Sequence, residues 1–306
     1  MKASPAAPGL LNWFLITLLG LIWGTVFMGT ATALTGIGQW WVAAGRVALA
    51  ALILVPLSFA MGQGLDKILG LRAWAFVSVI GLGSLALPLV LLSWGLSQVP
   101  SAFAGVAMGA IPLLVLPMVA IFSPEEGIGR RQVIGVGLGF VGLLLLVGPG
   151  AFGEGTLLGR LACIAMALCY GAGSVMTRRA PTIPPVAFAT GILFTASVAL
   201  VPLAYVLDGP PAVTRPWAGW ALLYTAIFPT GLAAILRIRV ITTAGSLFMS
   251  LTSYMIPIWA VFFGVTLMDE RLPPQLFYAL ALILAGIAIS QSHAIAQQLR
   301  PRTRTE

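Results

Sequence analysis

Arg46 is the first residue whose type and place invite chemistry. It lies in the apolar run GRVALAALILVPL, residues 45–57. A charge at hydrocarbon depth costs about 2.5–3.5 kcal/mol on insertion scales, so such a side chain normally faces protein or water. Three roles are open to it. It binds a substrate carboxylate, or it pins helices through carbonyls or through Glu270, or it snorkels to the surface. Aromatic residues come next. Trp23, Trp94, Tyr170 and Tyr254 lie away from the run ends where interfacial belts form, and each has a polar atom that wants a partner. Ser250, Ser253, Tyr254 and Pro257 follow at three-, four- and seven-residue steps, which places them on one helical face. Met108, Met249 and Met255 can supply an adaptable apolar wall.

Prolines and acids form a second constellation. Pro112 precedes Glu125 by 13 residues, and Pro257 precedes Glu270 by 13. Thirteen helical residues span about 20 Å, so acids at the surface put both prolines deep in the apolar layer. Each proline frees the carbonyl four residues earlier, that of Met108 or Ser253. Such acceptors are tolerated at depth only beside protein or a wet cavity. Groups of these types suit lining a path for a solute and are not a bond-breaking set. No acid lies inside an apolar run, so coupling would fall to Glu125, Glu126, Asp269, Glu270 or the substrate. The Gly-rich phosphate loop ending in Lys-Ser/Thr is missing, so ATP is not expected as a fuel. His293 reads as interfacial, and Cys163 and Cys169 read as small buried hydrophobes. Neither metal nor cofactor is expected.

The elements that must position these residues are transmembrane helices. The chain has 306 residues, 59% hydrophobic and 8% charged, against about 25% charged in soluble domains. Ten runs of span length can be cut: 12–34, 40–62, 73–97, 101–123, 132–149, 157–177, 185–207, 217–236, 244–268 and 274–296. They are about twice the length of a transmembrane strand and apolar all round, hence helical. The first run continues without a cleavage region and reads as a retained helix.

Net charge is +8. With the N-terminus inside, Lys2, Lys67, Arg72, Arg130, Arg131, Arg178, Arg179, Arg237, Arg239, Arg300, Arg302 and Arg304 face the cytoplasm. Those are 12 of the 16 basic residues. Arg160, Arg215 and Arg271 fall outside, and Arg46 is the one charge within a span. This is the positive-inside bias, so both termini are expected in the cytoplasm and no nucleic-acid partner is expected.

The chain also repeats. IWGTVFMGT (22–30) matches CYGAGSVMT (169–177), which makes Trp23 and Tyr170 equivalents. GRVALAALILVPL (45–57) matches GILFTASVALVPL (191–203), and AW (73–74) matches PW (216–217). Two halves follow, 1–150 and 151–306, five helices each. Five is odd, so the second half enters from the opposite side. The fold class expected is an all-α integral membrane protein of two inverted five-helix repeats, with a solute site near the midplane. Spans one, four, six and nine should surround that site.

The run GSLFMSLTSYMIPIWAVFFGVTLMDERL, with LILAGIAIS after it, resembles the EamA-type ten-helix transporters of the drug/metabolite transporter superfamily. So do LIWG in the first span, the Arg of AGRVAL in the second, and LSWGLSQVPSAFA at the turn into the fourth. The resemblance covers nearly the whole chain and implies export or exchange of small metabolites, such as amino acids or amphiphiles, without ATP. Two departures stand out: Pro124 replaces a Gly before Glu125, and Tyr170 stands where Trp is common. Substrate identity is not carried over. The competing readings are a lipid-carrier flippase or non-catalytic membrane subunit, and a membrane enzyme. An enzyme would need paired carboxylates on one face, whereas PEE and DE lie on opposite faces. A monomer in the cell (inner) membrane, with a small-molecule substrate and the lipid bilayer as partners, is expected.

Overall fold

The structure is a computed structural model and describes residues 9–122, 129–148, 155–177 and 179–299. Among these, nine helices are long and apolar enough to cross a membrane, and a shorter apolar helix, Thr252–Leu267, completes ten. We number them α1 (Leu10–Leu34), α2 (Gln39–Ala60), α3 (Leu71–Leu96), α4 (Ser101–Gly109 and Ile111–Phe122), α5 (Arg130–Val147), α6 (Leu157–Thr177), α7 (Pro185–Asp208), α8 (Pro216–Ala244), α9 (Ser246–Met249 and Thr252–Leu267) and α10 (Pro274–Leu299). Helix is the outcome because an apolar run in lipid must satisfy its own backbone. Prolines open α7, α8 and α10, where the missing N–H costs nothing.

The two halves pack as an exchangeable pair. α5 packs on α10, α2 on α7 and α4 on α9, each on its own repeat equivalent. The remaining main contacts come in matched pairs: α3 with α6 and α8 with α1, then α1 with α9 and α6 with α4. Backbone irregularities match too. A π-turn interrupts α3 at Leu82–Ala86 and α8 at Ile227–Leu232, starting 145 residues apart. So do the caps. Asp208, ending α7, accepts from Trp40 N at 2.9 Å at the start of α2. Gln63, 145 residues earlier, accepts from Val186 N at 3.3 Å at the start of α7.

Glycines set the closest approaches. Gly20 and Gly24 of α1 face Met255 and Trp259 of α9, and a Cβ on Gly20 would stand 2.6 Å from the Met255 Cβ. On α5, Gly135 and Gly139 meet Gly286 of α10 backbone to backbone. These are small-xxx-small contacts, which let helices approach where lipid provides no hydrophobic drive.

Three expectations are corrected. The eighth helix runs on to Ala244, so Arg237 and Arg239 are helical and exposed instead of lying in a loop. Long basic side chains at a helix end can reach water, so the helix need not stop where the apolar run does. Arg160 likewise lies within α6, and it is buried. Its guanidinium reaches the carbonyls of Gly148 at 3.1 Å and Val147 at 3.4 Å. There it serves the C-terminal end of α5, where unpaired carbonyls favour a cation. Arg46 is therefore not alone within the spans. Finally, the ninth run is broken at Ser250–Leu251, ahead of Pro257, so the face drawn through Ser250 is not continuous.

Candidate functional site

At the centre, α4 crosses α9, with α1 and α6 beside them, as the repeat requires. Pro257 is buried and meets Gly109 of α4, so this kink is packed against the partner helix. At the break before Pro112, backbone N–H groups bond to the Ala107 and Met108 carbonyls. The Met108 acceptor that the proline deprives is thus used within the backbone. Trp23, Met108, Tyr170 and Tyr254 are all half-buried and border the same apolar core. Ser253 is half-buried on α9, with its N–H on the Ser250 carbonyl at 3.0 Å. Trp94 is half-buried near the end of α3 and is not grouped with the others.

The polar centre of this region is the π-turn of α8. Pro229 has no N–H, so the Thr225 carbonyl loses its usual donor. The Thr230 hydroxyl takes that place, donating to Thr225 O at 2.9 Å. Two elements of the first repeat then dock on the turn. Trp23 Nε1 donates to the Pro229 carbonyl at 3.0 Å, and Arg46 Nε donates to Thr230 Oγ1 at 2.8 Å. One helical turn earlier, Tyr224 and Thr25 share a hydroxyl–hydroxyl hydrogen bond at the interruption of α1.

Arg46 is 8% exposed. Among the described residues its Nη1 has no hydrogen-bond partner, and the Tyr254 hydroxyl is also buried without one. Tyr170 lies within electrostatic reach of the guanidinium. The expected link from Arg46 to Glu270 is not made. Glu270 accepts instead from Ser101 N at 2.6 Å and Ala102 N at 3.1 Å, capping α4. A carboxylate there meets the exposed N–H groups and positive end of the helix dipole. Glu270 and Arg271 also line a cavity of about 280 Å³ with Gln98, Pro100 and Gly155. Glu125 lies outside the described residues.

Sequence reasoning missed Thr230 and the caps Gln63 and Asp208. Thr230 carries a faint signal: it follows a proline inside an apolar run. Asp208 and Gln63 occupy equivalent repeat positions, which only becomes informative once the helix ends they cap are known.

Residues 11–148 and, separately, 157–291 match the EamA-like transporter family. The uncharacterized transporter YoaV of Bacillus subtilis (strain 168) is 23% identical over 71% of this chain and 74% of its own. A WAT1-related chloroplastic protein of Arabidopsis thaliana is 25% identical over 91% of this chain and 68% of its own. An uncharacterized transporter of Archaeoglobus fulgidus is 24% identical over 90% and 96%. A protein crystal structure 23% identical in sequence covers 95% of this chain and 100% of its own, with a TM-score of 0.67. At that identity the likeness establishes the fold.

Proposed function

Because the chain belongs to the EamA-like transporter family, a membrane transporter family of the drug/metabolite superfamily, we propose that it moves small metabolites by alternating access, as a secondary exporter or exchanger. It works without chemistry on the solute. The observation that carries this reading is the exchangeable packing. Each main helix contact either maps onto itself or has a repeat equivalent, so a second arrangement with the halves' roles interchanged has nearly the same contacts. Two such states of similar energy are what alternating access requires.

In this reading the solute sits where α1, α4, α6 and α9 meet. Trp23, Met108, Tyr170, Tyr254 and Ser253 line it, with Arg46 as its charged member and Trp94 toward the outer end. The kinks at Pro112 and Pro257 shape its walls. Glu270 is the acid that caps α4, and it and Glu125, which lies outside the described residues, are the gate or coupling candidates. The membrane is the cell (inner) membrane, with both termini in the cytoplasm. Amino acids and amphiphilic compounds are the solute classes to try first.

Counterflow into liposomes holding the purified chain tests the proposal. Accumulation of a labelled solute driven by the same solute inside, absent from protein-free liposomes, is expected. Failure across amino acids, aromatic acids and neutral amphiphiles would sink it. Flipping of a labelled lipid carrier in the same liposomes would favour the flippase reading instead.

A further inference from the structure

Arg46 carries a charge that none of the described residues balances. The described carboxylates are elsewhere. Asp66 pairs with Lys67 at 3.0 Å. Asp208 caps α2, Glu270 caps α4, and Asp269 is exposed in the turn beside it. No acid lies within ion-pair distance of the guanidinium among the described residues. A buried charge without a counter-charge is costly and draws an anion to itself.

The guanidinium is also aimed. Its Nε is held by Thr230, whose hydroxyl is in turn held by the Thr225 carbonyl. That chain holds the fork at Nε and leaves Nη1 buried with no hydrogen-bond partner among the described residues. A pre-oriented fork suits a planar carboxylate better than an ammonium on a flexible stem would. Trp23 and Tyr170 supply apolar faces on the same core.

From this geometry we infer that Arg46 Nη1 is the anion-binding point of the central site, and that the solute is a monocarboxylate with an apolar body. A zwitterionic amino acid fits less well, since its ammonium finds no acid among the described residues. The inference rests on the transport reading only for the word solute; binding itself is measured apart from transport.

The test uses the full chain purified in detergent and follows thermal protection by phenylacetate, phenylacetamide, phenylalanine and chloride. Phenylacetate should protect at a concentration about tenfold or more below the amide, as a charge-assisted hydrogen bond implies. Phenylalanine should fall between them, and chloride should do little. In Arg46→Gln the acid-over-amide preference should vanish, and in Arg46→Lys it should shrink. If Arg46→Gln does not fold, the wild-type series and Arg46→Lys decide. Equal protection by acid and amide overturns the inference. So does protection by chloride alone, by phenylalanine ahead of phenylacetate, or by none of them at millimolar concentration. Counterflow of neutral solutes without acid preference would leave transport standing and remove the carboxylate site. Acid-selective protection without any counterflow would do the reverse.

Discussion

Replacing Glu270 with Ala separates a helix cap from a coupling acid. The carboxylate accepts two backbone N–H groups at the start of α4, from Ser101 at 2.6 Å and Ala102 at 3.1 Å. Losing a side-chain cap costs about 0.5–2 kcal/mol. Removing a negative charge from a helix N-terminus costs about 0.3–1 kcal/mol more. The sum is roughly 1–3 kcal/mol. At about 2–4 °C per kcal/mol for a chain approaching this size, Glu270→Ala should lower Tm by roughly 2–12 °C. Glu270→Gln keeps one acceptor and should lose about half as much. Scanning fluorimetry in detergent at one scan rate reads the stability, and counterflow per folded molecule reads the function. A cap predicts a lower Tm with transport per folded molecule near wild type in both variants. An unchanged Tm with transport abolished would refute the capping argument and make Glu270 part of the coupling machinery.

Trp23→Phe keeps a ring on the central core but loses the bond to the Pro229 carbonyl at 3.0 Å. It should cost about 1–2 kcal/mol of stability, seen as a fall in Tm, while the ranking of transported solutes changes little; a full reordering at unchanged Tm would show that the indole N–H serves the solute instead. Reporter fusions in the 61–70 and 209–215 connections should report cytoplasm and exterior respectively, and a shared side would contradict the inverted repeat.

The central region was partly legible from residue types. Trp23, Met108, Tyr170 and Tyr254 were picked out as aromatic or adaptable residues inside apolar runs, and they do border one core. Arg46 was picked out because a charge in such a run demands a reason. Its partner was not legible. The expected acid, Glu270, is the nearer guess on a linear reading, since both lie toward the same face. In three dimensions the N-terminus of α4 claims that carboxylate, and a threonine in a π-turn meets the guanidinium instead.

What the sequence by itself determined is the class and its symmetry. Bilayer thickness and the cost of an unsatisfied backbone leave helices as the outcome for apolar runs of this length. An odd count per repeat then forces inversion. Those constraints act on run length and order, which a linear string displays directly. The tertiary structure decided where the polar groups go. Pro229 leaves a carbonyl short of its donor, Thr230 fills that place and turns toward Arg46, and Trp23 takes the neighbouring carbonyl. Hydrogen bonds between helices are short-range and directional. They depend on the rotation and depth of each helix against its neighbour, and glycine contacts such as Gly24 on Trp259 and Gly109 on Pro257 set those only when the chain is packed.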